Sequence, residues 1–293
     1  MNKSLLTYIL IVGIAGTAGV TTGIVGKRLL GQEEIDYSGF NPEEFRADGT
    51  ALLAEYNSDP NKNFTAPELV AIGLEKYKNC ENSYSIGIGI AATVVEQTIR
   101  NYQIKNGDQY FEESISKSSM VGVANRAIQN GKDGEISLFL GKANGAESAS
   151  YPEEGTVYNK EDYKKYLGKT LDEMFVYLIS NNSVLKDGTE IKKTSNEVEV
   201  TLNLNPDIAT YYYKIQMKNI SNLDKLPVFS YLKHTYIFDK NMMLKHAHID
   251  EDYSASMGIT VNIRNNIDYY YYANEYVKIP NYNENLDYTV KGE

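Results

Sequence analysis

Residues 197–204 read EVEVTLNL, and this stretch decides the fold class. Val198, Val200, Leu202 and Leu204 fall on one side of an extended chain. Glu197, Glu199, Thr201 and Asn203 fall on the other, because successive side chains of a strand point to opposite faces. One face is wet and one is buried, which is the pattern of an antiparallel sheet packed on one side. Toward the carboxyl end, further strands are expected over 228–238, 242–252, 256–263 and 267–276. Asp239 to Asn241, Met257 to Gly258 and Asn265 to Asn266 punctuate them as turns. Between the first strand and this meander, Pro206 after Asn205 opens a helix that carries Tyr213 and Met217.

Upstream the same alternation appears from Ser83 to Ile104, where Ile86, Ile88, Ile90, Ala92 and Val94 alternate with smaller residues. Gly87 and Gly89 inside that run mark a bend or close packing. Asn106-Gly107 is a hairpin signal, with Tyr110, Phe111 and Ile115 on the returning strand. Ile136 to Leu140 is a further strand, and Val121 to Ile128 reads equally as strand or helix. Helices are expected from Asn41-Pro42-Glu43-Glu44 to about Tyr56, and from Thr65, whose Glu68 stands at capping-box spacing, through Leu69, Ile72 and Tyr77. Another helical stretch covers 160–179, with Thr170 and Glu173 again at that spacing and a break at Gly168. Helices followed by strands, twice over, give an α+β class. The arrangement is either a loose duplication or one extended sheet with helices on one face.

The amino terminus is different in kind. Leu5 to Gly26 are 22 residues without a charge, between Lys3 and the pair Lys27-Arg28. As a helix this stretch reaches roughly 33 Å, enough for a hydrocarbon core of about 30 Å. A cleaved signal peptide is the competing reading, since Ala15, Gly16, Ala18 and Gly19 are small. The apolar run continues past them to a basic stop, which favours a retained anchor. Gly19 and Gly23 form a GxxxG spacing. Basic residues nearly balance across the span, so the positive-inside rule leaves its direction open.

Composition narrows the functions. Asp+Glu 39 against Lys+Arg 29 gives a formal net charge of −10, which disfavours nucleic acid. The single cysteine, Cys80, permits no internal disulfide and no finger-type zinc site. No cofactor motif is present: P-loop, G-x-G-x-x-G, G-x-S-x-G and H-E-x-x-H are all missing from the sequence. Tyr 25 with Trp 0 is unusual, and tyrosine suits half-buried strands and binding surfaces.

The region Tyr211 to Tyr276, with Met217, Pro227-Val228-Phe229, Asp239 and Glu251-Asp252-Tyr253, resembles membrane-anchored extracytoplasmic proteins of low-GC Gram-positive bacteria. The wider pattern of a packed helix, a strongly curved antiparallel sheet rich in Tyr and Thr, and an export signal resembles the LolA and LppX type of envelope lipoproteins. The resemblance implies an extracytoplasmic domain with a concave apolar face for a lipid-like ligand or a peptide, and implies no catalytic residues. The departure is the acylated cysteine of those lipoproteins, which no residue after this anchor supplies.

Several constellations bear on chemistry. His246, His248 and Asp250, with Asp252, lie at period two on one strand, where imidazoles and carboxylates supply part of a metal site; the plainer interpretation is a solvated face with Ala247 and Ile249 turned inward. Residues at i and i+2 are about 7 Å apart, so a neighbour is needed to close a metal cage. Tyr211 and Tyr213, and Tyr269 and Tyr271 in the run Tyr269 to Tyr272, are candidate ligand or partner contacts; on a strand half of each run faces outward. Ser114 and Lys117 match an S-x-x-K spacing but sit on a strand, where i and i+3 face opposite ways. Cys80 with a histidine is a thiol-and-base alternative, with nothing diagnostic around it.

The chain therefore divides into an anchor (1–31), an acidic linker (32–41), a first α+β half (42–159) and a second half with the antiparallel meander (160–293). The function expected is a membrane-tethered extracytoplasmic binding protein, its partners the membrane and a lipid or envelope protein. A structural or interaction protein without a small ligand is the alternative, and a hydrolase with an unrecognised site the third. A continuous apolar cavity favours the first and a filled core the second.

Overall fold

The structure, a computed structural model, describes residues 37–92, 96–118, 122–130, 135–143, 149–171, 173, 176–221, 223–257, 259–281 and 286–292. The expected anchor with its Gly19 and Gly23, and the first part of the linker, lie outside the described residues. Among the described residues no helix is long and apolar enough to cross a membrane.

The protein is α+β, built on an antiparallel sheet of eleven strands. Strands β1 (Asn82–Ala92), β2 (Glu96–Asn106), β3 (Gln109–Ser118), β4 (Gly122–Asn130) and β5 (Ile136–Leu140) follow one another as a meander. A separate small pair, β6 (Lys142–Ala143) and β7 (Ala149–Ser150), precedes β8 (Thr156–Tyr158), which adds to β5 at the edge. A second meander runs through β9 (Val184–Lys193), β10 (Glu197–Leu204), β11 (Val228–Asp239), β12 (Leu244–Met257) and β13 (Ile259–Ala273). The last strand, β13, pairs with the first, β1, so the two halves form one extended sheet.

Among the described residues the helices are a 3-10 turn (Pro42–Phe45), α1 (Gly49–Ser58), α2 (Ala66–Lys78), α3 (Lys160–Leu167), α4 (Pro206–Ala209) and α5 (Tyr211–Ser221). The helix expected from Asn41 to Tyr56 is interrupted after the turn, and Asp48 recaps it by accepting from the Ala51 amide at 3.0 Å. Glu68 accepts from the Thr65 amide at 2.8 Å, closing the expected box at the start of α2. α3 stops at Gly168, which has φ +72; a Cβ there would meet the Tyr212 carbonyl oxygen at 2.6 Å. Among the described residues between Gly168 and Ile179 there is no second helix. Thr170 and Glu173 make only a turn, and Val176, Tyr177, Leu178 and Ile179 are all buried, so a segment wrapped in core on every side replaces an amphipathic helix.

Two strand expectations also shift. The three strands read over 242–276 are two, because Asn265 and Asn266 lie inside β13 rather than in a turn. Asn265 is buried there and donates to Glu251, so its side chain serves the interior instead of bending the chain. Tyr211 to Tyr213 belong to α5, within the helical stretch expected from Pro206, so the strand argument applied to that run does not hold.

The buried apolar surface changes side along the sheet. Under β10 to β13, Leu202, Tyr236, Ala247, Ile249 and Ile267 pack with Val70 and Ile72 of α2 and Met217 of α5. α2 approaches so closely that a Cβ on Gly73 would lie 2.1 Å from Phe238 Cε1. Under β1 to β3, the apolar residues Tyr84, Ile86, Tyr102, Ile104 and Phe111 point the other way. There Val277, Ile279, Tyr288 and Val290 of the carboxyl-terminal segment cover them. Tyr288 and Tyr151 both donate to Glu113 on that side, a carboxyl whose pKa burial raises. Apart from Ile99, which joins the helix-side core, and the ring of Tyr110, what β1 to β3 present toward the helices is small or polar.

Candidate binding cleft

Antiparallel register puts directly opposed residues on one face. Ser83, Lys105 and Tyr110 form one such row across β1, β2 and β3, and Ser85, Gln103 and Glu112 the next. These rows floor a partly open cleft between the end of α2 and the segment after α3, with an enclosed space of about 50 Å³ that widens into open solvent. Tyr77, Leu171 and Glu173 contribute walls.

The polar floor is cross-braced. Ser85 Oγ donates to Gln103 Oε1 at 3.4 Å, and Gln103 Nε2 donates to Glu112 Oε2 at 3.0 Å. Lys169 reaches the same carboxylate oxygen at 2.7 Å, its side chain 5% exposed. Across the cleft, Glu173 pairs with Arg46 at 2.7 Å and accepts from the Thr170 amide. Both acids are thus balanced by cations brought from outside the sheet. Lys105 is different: its ammonium is held by the Lys78 carbonyl and lies 6.0 Å over the Tyr110 ring. The cleft offers hydroxyls, an amide, two aromatic rings and an ammonium, and no activated nucleophile.

Farther along the same face a third row is closed off. Asn101 donates to the Tyr269 hydroxyl at 3.0 Å, and Ser114 donates to Asn101 at 2.6 Å. Tyr269 spans β1 because Gly87 lies between them, where a Cβ would be 2.7 Å from the ring. The tyrosines singled out by sequence therefore divide. Tyr213 and Tyr271 are buried, Tyr271 edge-on to Tyr77, while Tyr211 and Tyr269 are half-buried. Ser114 is committed to Asn101, and Lys117 stands exposed on the opposite face.

His246, His248 and Asp250 do share one face, on the side away from the helices. Both imidazoles turn to Asp268, across on β13, each 2.9 Å from the same oxygen. The bond to Asp268 raises the pKa of His248. Burial pushes Asp268 up, yet the bonds from His246 and His248 outweigh it and hold the carboxyl well below the usual range. Among the described residues no group of three His, Cys, Asp or Glu side chains is arranged to hold a metal ion. Asp250 remains beside this pair without completing a cage.

The interior holds a polar cluster with no sequence signal beyond Glu251 itself. Glu251 is fully buried and accepts from Tyr177 at 2.8 Å, from Tyr213 at 3.4 Å and from Asn265. Burial pushes its pKa up to about 7. His234, also fully buried, packs edge-on to Tyr177 and bonds Tyr236 through Nδ1 at 2.8 Å. Burial lowers its pKa to about 3. Cys80 contacts the Lys76 carbonyl and Met243, and burial raises its thiol, which works against a thiolate nucleophile.

Sequence reasoning missed the cleft. Its only signal was the run Ser83, Ser85, Gly87, Gly89, the small residues that alternate with the apolar positions of β1. No protein-family model matches the chain, and a search of curated proteins finds no match either.

Proposed function

We propose that this chain is a membrane-tethered extracytoplasmic binding protein whose curved sheet holds an amphipathic ligand in the cleft over β1 to β3. One observation carries this: the helix side of the sheet is packed with apolar side chains under β10 to β13 and turns polar under β1 to β3, where a cleft opens. An antiparallel sheet of eleven strands with helices lying on it supports the likeness to the LolA and LppX type. A ligand's polar or anionic end would meet Lys105, Ser85 and Gln103, and its apolar part would lie against Tyr77 and Tyr110. Native mass spectrometry of the full chain released from nanodiscs tests it. A small amphipathic adduct that disappears in Gln103→Leu with Ser85→Leu supports the reading, and an adduct-free wild type contradicts it.

The filled core under β10 to β13 favours a second reading, an envelope interaction protein without a small ligand. An adduct-free protein that pulls down a single envelope partner would place the weight there.

A further inference from the structure

The acidic linker read at 32–41 does not end as a free spacer. Its last part, from Tyr37, is docked on the α4–α5 corner. The Tyr37 hydroxyl donates to the Asp207 carbonyl at 2.8 Å and accepts from Lys214 at 2.9 Å. Its ring meets Tyr211 edge-on at 4.9 Å, Phe40 lies 5.1 Å from Tyr211, and Phe40 stacks on Phe45 at 5.1 Å. Lys214 is 1% exposed, so its charge is turned inward; the rings themselves are half-buried.

We propose that this aromatic clasp holds the helix-bearing side of the sheet, and with it the mouth of the cleft, against the headgroup layer of the bilayer in which the amino-terminal anchor sits. The inference rests on the anchored-protein reading. Eleven Cα steps separate Gly26, where the uncharged span ends, from Tyr37, and they reach about 38 Å at full extension. A compact body of this size has a radius of gyration of about 18 Å, which for a sphere is a breadth of about 46 Å, still more than that reach. The clasp cannot lie on the far side from the membrane. Tyrosine, an apolar ring with one polar end, suits the headgroup region, and Phe40 and Phe45 add apolar area beside it. The cleft lies next to the clasp, because Arg46, one residue beyond Phe45, pairs at 2.7 Å with Glu173 of the cleft wall. Glu43 and Glu44 are exposed on the same corner, so the surface it fits is zwitterionic rather than anionic.

The chain has no tryptophan, which makes a single-tryptophan test clean. Phe40→Trp reports the clasp, and Tyr231→Trp reports the opposite face of the sheet, where Tyr231 is paired with Asp252. The full chain is reconstituted in phosphatidylcholine vesicles carrying a lipid brominated near the headgroup. Expected is quenching of Phe40→Trp at least about twofold stronger than that of Tyr231→Trp, as for a ring in the interfacial belt. Equal quenching at both positions, or none at Phe40→Trp, in protein that floats with the vesicles overturns the orientation while leaving the anchor intact. Protein that fails to float overturns the anchor itself, and the orientation with it.

Discussion

Tyr269 occupies the space that a side chain on Gly87 would need, and through it links β13 to Asn101 on β2. A Cβ at Gly87 would stand 2.7 Å from the Tyr269 ring and 3.1 Å from the Asn101 Cβ. Gly87→Ala is therefore expected to destabilise by about 1–3 kcal/mol in urea unfolding, as overpacking does. In a Tyr269→Ala background the same Gly87→Ala change should cost much less, making the pair non-additive. Additive losses would mean that the ring is not what Gly87 accommodates.

Glu251 and His234 give the core opposing pH dependences. Glu251 has a folded pKa of about 7 against an ordinary 4.5, so its contribution is complete below pH 4.5 and is lost as pH rises through 7. His234 has a folded pKa of about 3 against 6.5; its contribution is present above pH 6.5 and is lost as pH falls toward 3. Between pH 4.5 and 6.5 the two nearly cancel. Glu251→Gln should expose the histidine's trend, with stability falling on acidification below pH 6.5. His234→Phe should expose the reverse, a loss of roughly 3 kcal/mol between pH 4.5 and 7. Urea midpoints measured across this range decide it, and flat profiles in both variants would refute the assignment.

Lys169 and Glu112 form a nearly buried ion pair under the cleft. Lys169→Met leaves the carboxylate with its Gln103 partner and without the ammonium. A loss of about 3–5 kcal/mol is expected, the usual cost of stranding a buried charge. Replacing both residues, Lys169→Met with Glu112→Leu, should restore most of it. Thermal unfolding of the three chains separates a stranded charge from simple loss of packing.

On the opposite face, Asp268 raises His248 by accepting its hydrogen bond. Asp268→Asn should lower the titration midpoint of His248, followed through its ring signals by NMR. An unchanged midpoint would show that the carboxylate is not the cause.

The second half was legible where one face meets core and the other meets water, as in Val198 to Leu204 of β10. Local chemistry also spoke through Asn106-Gly107 and the Thr65 and Glu68 box. β9 was silent, because VLKDGTEIKK is an edge strand exposed on most positions and shows no alternation. Asn265 looked like a turn residue because its partner, Glu251, is distant in sequence. The cleft was illegible for a deeper reason. In β1 the apolar residues Tyr84 and Ile86 are buried under the carboxyl-terminal segment, and Ser83 and Ser85 are buried toward the helices, so both sides of the strand are covered and the polar one lines the cleft. Alternation reports that a strand has two faces, and only the rest of the chain determines which is inside.

A photo-crosslinking residue placed at Tyr110, in the cleft, addresses ligand binding most directly when compared with the same residue at Tyr276, which is 68% exposed outside it. Irradiation of the full chain in native membranes, followed by intact-mass analysis, is predicted to add a small amphipathic molecule at position 110 and not at 276. Equal labelling at both positions, or none at 110, would contradict a ligand held over β1 to β3.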